Sequence, residues 1–330
     1  MTGPDAPRRR VAIVGGGIAG LALAAGLDPA QFEVVVHEAE PDRKALGAPL
    51  GLWPSARAAL GRIGAEPTTY APGAGRLYSI TGRPLSPITR PGLLAVPRPD
   101  LLAGLDAAVP PNVRRVEQAV ADPGSLDADL VIGADGVRSV VRGLVHPRGA
   151  ERVETPYVAL RGVRPAATPS LAGEYWGRGL IFGLMPFGPS GSKREYWFTT
   201  HRSELGPEPL DVATVLAEAR ERFADAARVV RGALEQAGPD TIATRIWVAP
   251  PLPTYVRGRY VLVGDAAHAA TPNLGRGACD AIVDAVTLAE TLNAEGDLRR
   301  WQAKRLPLTQ AARATAGTIM RAVTRAPLVE

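Results

Sequence analysis

The sequence predicts an α/β fold: a mostly parallel sheet, an antiparallel sheet interleaved with it along the chain, and helices at the C-terminal end. Three observations carry this. Three separated apolar runs, Val11 to Val14, Leu130 to Ile132 and Tyr260 to Val263, each end in glycine, as strands buried on both faces do at a tight turn. The second and third continue into an acid, Asp135 and Asp265. Between them, residues 151–239 change to short aromatic and β-branched pieces broken by glycine, the pattern of antiparallel strands.

The first run leads into Gly15-Gly16-Gly17-Ile18-Ala19-Gly20, with G-x-G-x-x-G spacing at Gly15, Gly17 and Gly20. An Ala-rich helical run follows, and Asp28-Pro29 stops it. Gly15 allows the tight turn, Gly17 lets backbone approach a pyrophosphate, and Gly20 lets helix and strand pack closely. The amides of the first helical turn, at Ile18 and Ala19, then face the phosphates at the positive end of the helix. The next strand, Glu33 to His37, ends at Glu38-Ala39, with Glu38 eighteen residues beyond Gly20. An acid there accepts from a ribose hydroxyl and repels a 2′-phosphate, so the nucleotide expected is FAD or NAD rather than NADP. Arg8-Arg9-Arg10 ahead of an apolar run also has the outline of a secretion signal. Three successive glycines and the strand that follows at once weigh against it.

Farther on, Pro41 to Lys44 reads as a polar loop, and Ala45 to Ala56 as a glycine-bearing stretch entering a helix over 56–63. Residues 68–96 read as short strands and hairpins. Arg98-Pro99 opens a helix, which places Arg98 within reach of a phosphate or flavin edge. Asp135 falls at a strand's carboxyl end, where open α/β sheets bind ligands, followed by Gly136. A helix over 137–142 would put Arg138 and Arg142 on one face as charge for a second nucleotide.

In residues 151–239, strands are expected at 157–163, 173–176, 180–185 and 194–200, forming one wall of a cavity, then a helix over 211–236. The aromatics there read either as core or as cavity lining. The last strand ends in Gly264-Asp265, with Asp265 placed to accept from a polyol chain. Thr271 to Gly277 is a rigid, glycine-bearing loop, and the amides around Gly275 to Ala278, Gly277 among them, open a helix over 278–292. The tail, 299–326, reads as an outer helix.

The 330 residues suffice for one large α/β domain or two intertwined ones. At 46% hydrophobic and 22% charged, the composition is that of a globular protein without a membrane span. The net charge of +5 is scattered rather than clustered beside aromatics, which argues against nucleic-acid binding. The single cysteine, Cys279, excludes an internal disulfide and any cysteine-based zinc site and fits a reducing cytoplasm.

Together the motifs resemble those of the single-component FAD-dependent aromatic hydroxylases, the p-hydroxybenzoate and salicylate hydroxylase type. The match runs through Gly15-x-Gly17-x-x-Gly20 with Glu38, Gly133-Ala134-Asp135-Gly136-x-x-Ser139-x-x-Arg142, and Gly264-Asp265-Ala266-Ala267-His268-x-x-x-Pro272-x-x-Gly275-x-Gly277. The resemblance implies a Rossmann-like FAD-binding domain from residues 1–60, 95–150 and 240–330, and a substrate domain from 61–94 and 151–239. It implies FAD on the glycine loop, Glu38 on the adenosine ribose, Asp265 on the ribityl chain and Arg98 helping to hold FAD. Asp135 and Gly136 would serve both FAD and a transient donor, NADH or NADPH. The reaction implied is hydroxylation or epoxidation of an aromatic or polycyclic small molecule with O2, through a flavin C4a-hydroperoxide, in a monomer or homodimer. A related dehydrogenase or reductase without oxygen insertion, or an FAD-binding carrier, stays open.

Pro272 would border the flavin ring, and Arg161, Tyr175, Phe182, Leu184 and Met185 would form the opposite wall. No base is evident: His201 is one option, while His268 reads as structural. The sequence departs from the resemblance at Arg276, where the family usually has Gln, at Cys279, where it has Asn or Cys, and at Val283, where it has Glu. Arg276 puts a cation near the pyrimidine end of the flavin, expected to favour anionic reduced flavin or to bind an anionic substrate. The chain is also short for the family, mainly between residues 60 and 130 and at its end.

Overall fold

Among the described residues, two six-stranded sheets and one two-stranded sheet organise the chain. In the computed structural model, residues 7–40, 49–90, 92–166, 172–206 and 208–325 are described. The polar loop expected at 41–44 and residues 45–48 of the glycine-bearing stretch lie outside the described residues. The first part of the chain forms β1 (Arg9–Val14), α1 (Ile18–Gly26), β2 (Phe32–Glu38), β3 (Leu50–Leu52), α2 (Pro54–Arg62), β4 (Gly75–Ser79), β5 (Leu94–Val96), α3 (Arg98–Ala108), β6 (Arg114–Glu117), β7 (Leu130–Gly133) and α4 (Val141–Val145). Then come β8 (Val153–Pro165), β9 (Ala172–Gly177), β10 (Leu180–Pro186), β11 (Arg194–Arg202), α5 (Val212–Arg222), α6 (Arg228–Glu235) and β12 (Ile242–Val248). The chain ends with β13 (Val256–Arg257), β14 (Tyr260–Leu262), α7 (Asp265–His268), α8 (Gly277–Asn293) and α9 (Leu298–Arg325).

The first sheet has the order β13-β14-β7-β1-β2-β6, parallel except for the β13–β14 hairpin at its edge. Its central strands are buried because helices cover both faces, which is why their sequences run apolar without alternation. α1 is Ala-rich for a related reason. Residues 19–24 are all buried, since α8 and α3 close over it. At Gly26 a side chain would come within 2.8 Å of the Ala289 methyl on α8.

The second sheet, β12-β8-β11-β10-β9-β4, is antiparallel apart from the β4–β9 pair. β12 belongs to this sheet, so the segment that builds it continues past residue 239 to Val248. One face packs on α5 and α6 through Val158, Leu160, Tyr175, Phe182, Leu184 and Trp197. The other face carries Tyr157, Ala159, Ile181 and Ile246, which pack on Met320 and Val323 of α9.

Two helical expectations change. The helix expected over 137–142 is a 3-10 turn at Gly136–Arg138 followed by the five-residue α4. The helix expected over 211–236 breaks into α5 and α6, because Phe223 turns into the core and the Ala227 amide bonds to the Ile80 carbonyl, 2.8 Å away.

His201 lies on the helix-packed face with no exposure, its Nε2 3.5 Å from a carboxylate oxygen of Glu218 and its ring edge-on to Phe223. It is therefore no candidate for a base in a cavity on the opposite face. Burial pushes its pKa down to about 4, against the pull of Glu218. A histidine depressed in the folded state is protonated first in the unfolded state, so stability is lost as pH falls from about 6.5 towards 4. We expect about 3 kcal/mol across that window, and His201→Gln should flatten this limb in urea unfolding titrations. An unchanged pH dependence in His201→Gln would contradict this account.

Candidate functional site

Strand register brings the glycine-tipped ends side by side. Val14 of β1 is level with Gly133 of β7, and Gly133 is level with Leu262 of β14. Backbone bonds lock the tips together: Ala134 N–H to Val14 C=O at 2.8 Å, and Val263 N–H to Gly133 C=O at 3.0 Å. Segments distant in sequence thus share one edge of the sheet, at the carboxyl ends where such sheets hold ligands.

The glycine loop is shaped by three different constraints. Gly15 has φ +104°, and a Cβ there would lie 2.4 Å from the Ala134 carbonyl oxygen. At Gly20 a Cβ would lie 1.9 Å from the Gly15 carbonyl oxygen, so helix and turn touch there. At Gly17, the N-cap of α1, a Cβ would meet no atom within 4 Å. The fold does not need that space; a group approaching the free amides at Ile18 and Ala19 does. Ala19 itself is buried under the Gly264 turn.

Glu38 stands over this loop at the tip of β2. Its carboxylate accepts from the Gly16 amide at 2.7 Å and from the Glu40 amide at 2.9 Å, beside exposed Ala39. Asp135 accepts from the Val140 amide at 2.8 Å through one oxygen, while its other oxygen is buried without a protein donor. Burial raises its carboxyl above the ordinary aspartate value, against the hydrogen bonds from Ser139 and Val140. Gly136 beside it adopts φ +72°. Asp265 is exposed, and a Cβ at Gly277, the start of α8, would lie 3.9 Å from its Oδ1. The turn at Pro272–Leu274 joins them, with Pro272 exposed and open space beside Gly275. Exposed Arg98 opens α3 directly after β5, whose partner β3 brings Gly51 to within van der Waals reach of the Gly275 carbonyl.

These features fit a dinucleotide: an open cradle at Gly17, an acceptor at Glu38 and an orphaned acid oxygen at Asp135. Two further buried oxygens without protein donors, Thr271 Oγ1 and Asn273 Oδ1, flank Pro272. The sequence reading passed over both; their position on either side of Pro272 was the only signal they offered.

A network of buried charge backs the site. Asp284 of α8, fully buried, bonds His268 Nε2 at 2.6 Å and Arg305 Nε at 2.7 Å, and accepts from the Gly264 amide at 3.1 Å. Burial works against both charged forms of this pair. Against it, Asp284 together with Asp265 and Asp280 raises the imidazole, and His268 together with Arg305 holds the Asp284 carboxyl down. His268 is thus structural, as the sequence reading expects. The network continues from Arg305 to Asp280, 3.6 Å away, and from Asp280 to Arg276 at 3.0 Å. Arg276 is therefore a paired cation, half covered at the N-cap of α8, rather than a free one. Cys279 bonds the Gly51 carbonyl at 3.0 Å, fastening β3 to α8.

Several expected residues are placed otherwise. Arg142 has no exposure and donates to the carbonyls of Val137, Gly149, Ala150 and Ala266, so it holds loops together and offers nothing to a second nucleotide. Arg138 is paired with Glu208 at 2.8 Å. Tyr175, Phe182 and Leu184 do not face a cavity opposite Pro272. Strand alternation turns all three into the core under α5 and α6. Arg161 and Met185 lie on the other face, the one α9 borders, and α9 also touches the Pro272 turn.

A family profile described as "FAD binding domain" matches residues 106–316. The chain is 30% identical to an aurachin C monooxygenase/isomerase of Stigmatella aurantiaca, covering 90% of this chain and 85% of that relative. It is also 30% identical to a 6-hydroxynicotinate 3-monooxygenase of Bordetella bronchiseptica, covering 87% and 83%. Among solved structures it superposes on Klebsiella pneumoniae HpxO, crystallised with FAD and uric acid, with TM-score 0.82 and 25% identity over 96% of this chain and 89% of that one. The chain belongs to the FAD-dependent aromatic hydroxylases, the flavoprotein monooxygenase family. It is an FAD-binding oxidoreductase, and no described helix is long and apolar enough to cross a membrane.

Proposed function

We propose that this monooxygenase uses NADH or NADPH and O2 to hydroxylate or epoxidise an aromatic or polycyclic small molecule. The convergence of the tips of β1, β7 and β14 carries the reading, since it supplies one continuous cradle for an extended dinucleotide. Bound FAD would supply the redox chemistry, taking electrons from the nicotinamide donor and passing them to oxygen. The chain's own contribution is to bind, orient and exclude water. In this reading Gly15, Gly17 and Gly20, with the amides at Ile18 and Ala19, hold the pyrophosphate. Glu38-Ala39 meets the adenosine ribose, Asp265 with Gly264 the ribityl chain, and Arg98, Asp135 and Gly136 help hold FAD. Pro272 borders the ring, and the amides from Gly275 through Ala278 face its pyrimidine end. Arg161 and Met185 belong to the substrate wall.

Donor oxidation by the purified FAD-loaded protein should consume oxygen and accelerate with an accepted aromatic substrate. Normal turnover without oxygen would overturn the reading in favour of a dehydrogenase. Arg276 adds a sharper expectation. A cation at the pyrimidine end stabilises a reduced, anionic ring, so Arg276→Gln is expected to lower the midpoint potential of bound FAD in a dye-equilibration titration. An unchanged potential would remove Arg276 from that role.

A further inference from the structure

The register of the second sheet sets one transverse row of residues on its α9-bordered face. Ile242, Arg161, Phe198, Gly183, Glu174 and Leu77 lie level across the six strands. The Phe198 ring lies over Gly183, where a Cβ would come within 1.9 Å of it. An aromatic surface therefore occupies the middle of the row, with a cation on one side and an acid on the other.

Among the described residues, both side chains have only uncharged hydrogen-bond partners. Arg161 donates to Thr244 Oγ1 at 2.8 Å and to the Tyr196 hydroxyl, both uncharged. Glu174 accepts from the Trp176 indole at 2.8 Å. Among the described residues no ion pair involves Arg161 or Glu174. The row one step along is closed by apolar packing of Trp176 and Ile181 with Ile319 and Met320 of α9, and partly buried Phe198 abuts that cluster.

We propose that Arg161 and Glu174 are the two polar ends of a single substrate site, with Phe198 as its floor. The substrate is a flat aromatic or heteroaromatic molecule whose anionic group meets Arg161 and whose ring O–H or N–H donates to Glu174. This rests on the aromatic-monooxygenase reading above and narrows its substrate class. Three strand spacings separate the two residues, about 14 Å between backbones, which suits one or two fused rings once both side chains and their hydrogen bonds are placed. Trp176 takes one of the acceptor positions of the Glu174 carboxylate and orients the group, leaving others for a ligand. Burial also raises the Glu174 carboxyl, against the Trp176 hydrogen bond, so a further donor supplies solvation that the wall withholds. The same rule explains the selectivity: a ligand lacking the O–H or N–H leaves a desolvated carboxylate unmatched.

The test uses the FAD-loaded protein and three probes in calorimetric titrations: 6-hydroxynicotinate, nicotinate, which lacks the hydroxyl, and 2-hydroxypyridine, which lacks the carboxylate. The parent should bind 6-hydroxynicotinate at least tenfold tighter than either truncated probe. Glu174→Gln should weaken 6-hydroxynicotinate and 2-hydroxypyridine about tenfold while leaving nicotinate unchanged, with partial recovery in Glu174→Asp. Arg161→Gln should weaken the two carboxylates and spare 2-hydroxypyridine. Equal losses for all three probes in Glu174→Gln, no loss at all, or no preference among the probes in the parent would each overturn the proposal. Flavin absorbance in the same samples reports separately on FAD retention, so failure of the broader reading is distinguished from failure of this one.

Discussion

Gly17→Val is expected to leave the apoprotein folded and to strip it of FAD. The residue has φ −79° and ψ −165°, extended backbone that valine adopts readily, and a Cβ there would meet nothing within 4 Å. Apoprotein stability should therefore fall by no more than about 1 kcal/mol, the cost of a poorer N-cap. The same side chain fills the approach to the first-turn amides of α1. Losing about two charge-assisted hydrogen bonds to a pyrophosphate corresponds to at least a hundredfold weaker FAD binding. Gly20→Ala provides the contrast. Its methyl would sit 1.9 Å from the Gly15 carbonyl oxygen, and backbone must move to admit it. That substitution should cost about 3 kcal/mol of stability before any cofactor is added. Thermal melts of the apoproteins, with FAD fluorescence titrations, separate the two. Tight FAD binding by Gly17→Val would place the dinucleotide elsewhere.

Asp284→Ala should be the most damaging single change outside the glycine loop. It leaves His268 buried without its carboxylate and Arg305 with only Asp280, 3.6 Å away and shared with Arg276, and it removes the acceptor of the Gly264 amide. Breaking such a buried pair from one side costs about 3–5 kcal/mol, which lowers the melting temperature by on the order of 10 °C. Because Gly264 shapes the turn that presents Asp265, FAD affinity should fall as well. A drop of less than about 2 °C would mean that the network contributes little to the fold.

The first sheet was legible because its strands are punctuated. Each apolar run is closed by glycine where the backbone must turn sharply, and those glycines sit in the motifs. The second sheet was legible as a sheet but not by face. Leu180 to Met185 is apolar at every position, since α5 and α6 press one side and α9 the other, so alternation carries no sign there. Choosing wall residues by aromatic identity selected Tyr175 and Phe182, which point away. Register places Phe198 beside Arg161 and sets Glu174 level with both, three strands from Arg161. Arg142 misled for a similar reason: its charge suggests phosphate, yet four carbonyls take up its guanidinium inside the protein. Spacing alone could not show that Arg276 is partnered, since Asp280 joins it only when the helix places them one turn apart.

The edge shared by Val14, Gly133 and Leu262 has a bearing on biosynthesis. Its components enter the nascent polypeptide in three instalments, each more than a hundred residues after the one before. No amino-terminal fragment that ends before Leu262 can assemble the complete edge. Formation of this edge waits on long-range closure of the central sheet rather than on any local hairpin or helix.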